Sequence, residues 1–228
     1  MTARDDDAFV ALPPRSQIIP LAILSLVFAA WFALCYGGAA ALAQFIPWRV
    51  QVELPIDARL PFWPGASALY LTIGPALLLA PFVFRSVGAL LPLFATLMLE
   101  TAVAAALFLV LPIDDAPIVC CEPGPSGALF RLADALNLHH NNLPSLHVAF
   151  ACTLALAYAH RVSRGGVWLL FAWAVAVTAS TMFTRQHFLL DLLAGVVLAL
   201  VCWRLAGPWA HRPEVVSRFE RGLHRLAT

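Results

Sequence analysis

Six long apolar stretches constrain the fold of this chain more than any other feature of its sequence. A helix needs about 20 mostly apolar residues to cross a bilayer. The stretches cover residues 18–45, 65–84, 87–111, 144–159, 166–183 and 188–206. Only 12% of all residues are charged, compared with about 25% in soluble domains. The sequence therefore predicts an all-α fold, a bundle of six transmembrane helices, and excludes a water-soluble globular protein.

These stretches divide the chain into a tail (1–17), a membrane catalytic domain (18–206) and a second tail (207–228). The first stretch is too long for a signal-peptide core and follows acidic residues instead of basic ones, so we interpret it as a retained helix. In the second tail, apolar residues at helical spacing lie opposite several arginines. This pattern predicts a basic amphipathic helix at the inner membrane surface, with a frayed, solvated tail as the alternative.

The basic residues predict the orientation of the bundle. All 14 are arginine, and ten of them lie on the side that holds both termini. The other side carries Arg49, Arg59, Arg131 and Arg185. Because positive residues favour the cytoplasm, we expect cytoplasmic termini and a site that faces outward, towards the periplasm of a bacterial inner membrane. The net charge of +1 excludes a basic nucleic-acid-binding protein.

The outward loop over residues 112–143 is longer than a simple connection requires. Leucines at helical spacing follow its Pro-Gly-Pro-Ser-Gly segment, which predicts a short interfacial helix before the fourth membrane helix. Cys120 and Cys121 also lie in this loop. Adjacent cysteines rarely pair with each other, and their role stays open.

Two polar clusters lie at the outward ends of apolar helices. The first ends in Pro144-Ser145-Leu146-His147, where free backbone N–H groups at the helix start predict an anion site. The second contains His187 and Asp191, which share one helix face at i and i+4. An aspartate in that position can fix the ring of the histidine, and an ionisable group inside an apolar segment indicates function. The coincidence of the two histidines predicts a catalytic site.

At these residues the chain resembles the type 2 phosphatidic acid phosphatase superfamily. The second family motif, Pro-Ser-x-His, matches residues 144–147, and the third, Ser-Arg-x5-His-x3-Asp, matches residues 180–191 except at its arginine. Two segments, Leu-Pro-Ser-Leu-His-Val-Ala and Gln-His-Phe-x2-Asp, are similar in sequence to the inositol phosphorylceramide synthase-like branch. The segment Leu60-Pro61-Phe62-Trp63-Pro64, which leads to Tyr70, is similar to that branch as well. The resemblance covers roughly residues 55–206.

The resemblance implies a role for each matching residue. His187 would attack phosphorus and form a phosphohistidine, with Asp191 holding its ring. His147 would act as general acid to the leaving oxygen and then as base for the acceptor. Ser145, and less strongly Thr181, would help to hold the phosphate oxygens. The substrate would be a membrane lipid phosphate, and neither a metal nor another cofactor would be needed.

The chain departs from the family at the cations that would hold the phosphate. It has no lysine for the first motif, Lys-x6-Arg-Pro, and Thr181 occupies the arginine position of the third motif. Arg185 and Arg131 are the candidate replacements, and we favour Arg185 because it lies beside the nucleophile. A site with fewer positive groups is expected to suit a phosphodiester better than a phosphomonoester.

Three alternatives stay open on the sequence alone. Within the enzyme class, the phosphoryl group or phospho-headgroup passes either to water or to a lipid alcohol. The second alternative is a metal-binding site, for which the candidate ligands are His139, His140, His147, His187 and Asp191. A non-enzymatic lipid carrier or structural membrane protein is the third, in which Glu100 would belong to a transport path or pair with a neighbouring helix.

Overall fold

The computed structural model describes residues 8–114, 123–138 and 140–227, and it confirms the all-α prediction. In these ranges the only β-type pairing is an isolated bridge between Val50 and Ile113. The eight helical segments are α1 Arg15–Ala43, α2 Pro64–Phe84, α3 Val87–Val110, α4 Pro125–Leu136, α5 Leu146–Ala159, α6 Arg164–Phe183, α7 Leu189–Ala210 and α8 Pro213–Ala227. Helix α1 passes through a π-helical turn at Ala33–Gly37.

Five helices are long and apolar enough to cross a membrane, namely α1, α2, α3, α6 and α7. Helix α5 coincides with the fourth predicted span but has only 14 residues, which is about 21 Å at about 1.5 Å per residue. Helix α7 continues to Ala210, past the predicted end at residue 206. The tail predicted from residue 207 therefore includes the last turn of α7 before α8 begins.

Serines begin three of the helices. The hydroxyl oxygens of Ser86, Ser145 and Ser163 accept hydrogen bonds from backbone N–H groups three residues later, at 3.3–3.4 Å. Each satisfies one of the N–H groups that a helix start leaves without a partner. Ser145 places the first turn of α5 directly at the candidate site.

Helix α5 lies in the centre of the bundle, packed against α3, α6 and α7. Most of its side chains are buried on every face, including Val148, Ala151, Leu154 and Ala155, as expected for a helix that is apolar all round. Glu100 on α3 is fully buried and accepts a hydrogen bond from Thr153 on α5. The short α5 is thus enclosed by its neighbours.

Two amphipathic helices lie at opposite ends of the bundle. Helix α4 is where the sequence predicts a short helix, and its Phe130 meets Phe62 edge-on with ring centroids 5.2 Å apart. Helix α8 buries Leu223 and leaves Arg218 and Arg221 exposed. It contacts α1, α3 and α7, so this tail is a docked helix in the structure.

Candidate active site

Three helix ends meet at the end of the bundle where α4 lies. Helix α5 begins beside the start of α7, because the Ser145 N–H donates a 3.0 Å hydrogen bond to the Asp191 carbonyl oxygen. The end of α6 is tied to the segment before α2 by a 2.9 Å hydrogen bond from the Trp63 N–H to the Phe183 carbonyl. These backbone contacts bring the two polar clusters of the sequence into one place.

The two predicted histidines face each other across this junction. Their ring centroids are 5.9 Å apart, with the ring planes inclined by 55°. His187 Nδ1 lies 3.5 Å from Asp191 Oδ2, and the same carboxylate oxygen accepts a 2.9 Å hydrogen bond from the Phe188 N–H. Asp191 therefore begins α7 as an N-terminal acceptor and also faces the His187 ring.

The imidazole ring of His187 is buried, yet its nitrogens are without hydrogen-bond partners among the described residues. The residue is 4% exposed, and within the described residues neither ring nitrogen has a hydrogen-bond partner. Because Nδ1 faces the Asp191 carboxylate, Nε2 is the nitrogen left for a substrate. A buried polar atom without a partner is costly in a finished core and is typical of functional sites.

Arg185 lies in the same pocket as His187. The pocket is lined by Glu53, Asp57, Leu60, Met182, Arg185, His187 and Phe188. One guanidinium nitrogen of Arg185 donates a long, 3.4 Å hydrogen bond to the Leu60 carbonyl, and its Nε has no partner among the described residues. The backbone of Arg185 is left-handed, with φ of 54°, a conformation that non-glycine residues seldom adopt. The turn between α6 and α7 thus presents its only arginine beside His187.

The other predicted phosphate-binding residues have different surroundings. Ser145 is fully buried and is the N-cap residue of α5. Thr181 is also fully buried, and its hydroxyl donates to the Thr178 carbonyl at 2.8 Å. The Thr181 carbonyl accepts the N–H groups of Gln186 and His187 at 3.0 and 3.2 Å, so Thr181 holds the turn that carries His187. Arg131 is exposed on α4 and does not line the His187 pocket.

Sequence reasoning missed a side-chain network that holds this turn from outside. Asn137 donates through Nδ2 to Gln186 Oε1 at 2.6 Å, and Gln186 donates through Nε2 to Asp134 Oδ1 at 3.2 Å. The Tyr36 hydroxyl donates to Asn137 Oδ1 at 3.2 Å. The network links the π-helical turn of α1, the end of α4 and the residue before His187. Its members are far apart in the chain, so no local pattern marks them.

Asp57 is a second residue that the sequence did not single out. Its carboxylate accepts hydrogen bonds from the Leu54 N–H at 2.8 Å and from the Leu189 N–H at 3.0 Å. It therefore attaches the segment between α1 and α2 to the first turn of α7, where a negative charge is favourable. The available signal was an acidic residue in a mostly apolar loop.

The metal-site alternative requires several histidine or carboxylate side chains to lie close together. Among the described residues, no three histidine, cysteine, aspartate or glutamate side chains come together as a candidate metal site. His140 Nδ1 lies 3.1 Å from the Ile113 carbonyl, apart from the two facing histidines. His139, Cys120 and Cys121 lie outside the described residues.

The structure is a bundle of apolar helices, five of them long enough to cross a membrane, in which two histidines and an aspartate lie together at one end. The model of the PAP2 superfamily matches residues 65–205, more than half of the 228 residues, and the chain belongs to that superfamily. Members of the superfamily are phosphatases, so an integral membrane enzyme of the phosphatase type is supported. No curated protein and no solved structure matches the chain significantly.

Proposed function

We propose that this protein cleaves a phosphoester of a membrane lipid through a phosphohistidine on His187. It then passes the phosphoryl group or phospho-headgroup to water or to a lipid alcohol. The observation that carries the proposal is the pair of histidines, with ring centroids 5.9 Å apart, and the Asp191 carboxylate 3.5 Å from His187 Nδ1. A nucleophile with its own carboxylate and a separate proton donor are the parts that double displacement at phosphorus needs.

In the first step, His187 Nε2 attacks phosphorus and the bond to the leaving oxygen breaks. The proton on His147 Nε2 goes to that oxygen, so the alcohol leaves neutral. The phosphorylated imidazole keeps a proton on Nδ1, and Asp191 stabilises its positive charge. In the second step, water or a lipid alcohol attacks phosphorus, gives its proton to His147 Nε2 and releases His187.

The charges of the pocket favour a phosphodiester substrate. Among the described residues that line it, Arg185 is the one arginine, and Glu53 and Asp57 line it too. A diester carries one negative charge and a monoester close to two near neutral pH, so repulsion from the two carboxylates is smaller for the diester. This balance supports headgroup transfer, as does the resemblance of residues 60–64 and 143–149 to the inositol phosphorylceramide synthase-like branch.

The membrane topology is part of the proposal. Helix α5 would serve as a sixth, short span enclosed by its neighbours, and α4 would lie along the outward surface. Both termini would be cytoplasmic, with α8 at the inner surface, and the site would open to the periplasm of a bacterial inner membrane. The ten-to-four distribution of arginines supports this orientation.

A carrier or structural role has less support. Glu100, the residue a transport path would use, is fully buried and accepts a hydrogen bond from Thr153. That contact fits a link between α3 and α5. Purified protein, assayed on paired lipid phosphomonoesters and phosphodiesters with and without a lipid alcohol, tests the proposal. Activity that is lost in His187→Ala supports it, and unchanged activity in that variant contradicts it.

A further inference from the structure

Tyr70 holds the ring of His147 in two ways. The phenol and imidazole rings are stacked, with centroids 4.0 Å apart and planes inclined by 29°. The Tyr70 hydroxyl oxygen lies 3.2 Å from His147 Nδ1. Among the described residues neither side chain makes another hydrogen bond, so the two groups are each other's polar partner.

The position of Tyr70 is fixed by the fold. It lies at the end of the first short turn of α2, Ser67–Tyr70, and is 1% exposed. This turn packs against α4 and α6, the helices that flank the His187 turn. A side chain buried this completely has little freedom to rotate, so its hydroxyl is a fixed point against which the His147 ring is aligned.

The contact distinguishes the two ring nitrogens of His147. An imidazole that exchanges a proton through one nitrogen must keep the other nitrogen in a constant state. If Nδ1–H donates to the Tyr70 oxygen, Nε2 alone gains and loses the proton. The phenol neither gains nor loses a proton in the cycle, so the proton balance between His147, the leaving oxygen and the acceptor is unchanged.

We propose that Tyr70 is the positioning residue of the general acid: its oxygen keeps the proton on His147 Nδ1 throughout the cycle, so that Nε2 is the nitrogen that gives its proton to the leaving oxygen. This inference rests on the proposed function and adds a residue to it. The two histidines then differ in their partners. His187 has a carboxylate, which stabilises the positive charge of a phosphohistidine, whereas His147 has an uncharged hydroxyl, which leaves its second proton free to be transferred.

The leaving group provides the test, because a good leaving group needs no proton. Tyr70→Phe keeps the stacked ring and removes only the hydroxyl. With an alkyl alcohol as leaving group, we expect kcat/KM of Tyr70→Phe to fall about 10-fold or more, part of the ~10²–10⁴-fold effect of general acid catalysis. With the same phosphoryl group on p-nitrophenol, kcat/KM should stay within about 3-fold, because kcat/KM reports the first step and not the second step, in which His147 acts as base for both substrates.

Tyr158→Phe is the matched control, since it removes the hydroxyl of another largely buried tyrosine that donates to the Ala76 carbonyl. It should leave both assays unchanged. An equal loss of kcat/KM on both leaving groups in Tyr70→Phe, or no loss on the alkyl substrate, overturns the inference. If His187→Ala retained activity, the proposed function itself would fail, which is a different outcome from either.

A second measurement uses the unmodified protein and does not depend on how a variant folds. Nitrogen NMR of the histidine rings in detergent, assigned with His147→Gln, reports which nitrogen of His147 carries the proton. The inference requires protonated Nδ1 in the neutral ring. A neutral His147 with its proton on Nε2 contradicts it.

Discussion

The backbone N–H of Ser145 donates a 3.0 Å hydrogen bond to the carbonyl oxygen of Asp191. This contact joins the start of α5, which carries His147, to the start of α7, which carries Asp191 and follows His187. The relative position of the two histidines therefore depends on how closely these two helix starts approach each other.

Gly195 on α7 allows the starts of α5 and α7 to lie this close together. A Cβ at this position would lie 2.6 Å from the Ser145 carbonyl oxygen and 3.1 Å from Val148 Cβ. We expect Gly195→Ala to push the two helices apart, to lower the free energy of unfolding by about 1–3 kcal/mol and to reduce kcat. Thermal unfolding in detergent and activity on a lipid phosphodiester measure both effects.

Gly207 on the same helix provides the control, because a Cβ there would meet no atom within 4 Å. Gly207→Ala should leave activity unchanged and raise helix stability by up to about 1 kcal/mol. Equal behaviour of the two variants would contradict the view that the close approach at Gly195 positions the site.

Asp191 combines a structural and a catalytic contribution that two substitutions can separate. Asp191→Asn keeps an oxygen that can accept from the Phe188 N–H but removes the negative charge opposite His187. We expect kcat to fall about 10²–10⁴-fold, as for a triad aspartate, with little change in the unfolding temperature. Asp191→Ala should also lose about 1 kcal/mol of helix-start stability.

Asp114→Asn, at an exposed position, is the control for the loss of one negative charge at this end of the bundle. It should keep full activity. A fully active Asp191→Asn would show that the carboxylate does not act on His187.

Arg185 is expected to hold the phosphate oxygens because it lines the pocket of His187. Arg185→Ala should lower kcat/KM about 10²-fold, since a charge-assisted hydrogen bond in an enclosed site is worth about 1.5–3 kcal/mol. Arg131→Ala, on the exposed face of α4, should lose much less. Steady-state kinetics on one phosphodiester compare the two, with the exposed Arg59→Ala as the charge control.

If Arg131→Ala were the more damaging of the two, the assignment of the phosphate contact to Arg185 would be wrong. Arg185→Lys refines the comparison. A lysine keeps the charge but loses the planar pair of donors, so we expect partial activity between those of the wild type and Arg185→Ala.

Glu100 is expected to stabilise the bundle and not to take part in transfer. Glu100→Gln preserves an oxygen that can accept from Thr153, and we expect activity within about 2-fold and an unchanged unfolding temperature. Glu100→Ala leaves a cavity and an unpaired hydroxyl, and should cost about 2–4 kcal/mol. Thermal unfolding of both variants checks this, and loss of all activity in a stable Glu100→Gln would contradict it.

The sequence predicted the helical fold and the alignment of His187 with Asp191 because apolar stretches and i, i+4 spacing are local patterns. It placed α4 as a helix for the same reason. It predicted that His147 and His187 lie together because each comes at the outward end of an apolar stretch. It did not predict the contact of Tyr70 with His147, which are 77 residues apart. It also gave no sign that the Thr181 hydroxyl would bond its own helix, because an oxygen near a site has both substrate and backbone partners within reach.

The ends of the helices show a second limit of sequence reasoning. Helix α7 runs four residues beyond residue 206, through Gly207 and Pro208, two residue types that commonly mark the end of a helix in a sequence. The π-helical turn at Ala33–Gly37, from which Tyr36 reaches Asn137, depends on tertiary contacts. Such a turn has no reliable signature in one sequence.

The most direct test of the account is to trap the intermediate on His187. Protein mixed with a p-nitrophenyl phosphodiester labelled at phosphorus is quenched in alkali, digested and analysed by mass spectrometry. The account predicts the labelled group on His187, more of it in His147→Ala because the base of the second step is missing, and none in His187→Ala. Turnover without any label on His187, or with the label on another residue, would contradict the account.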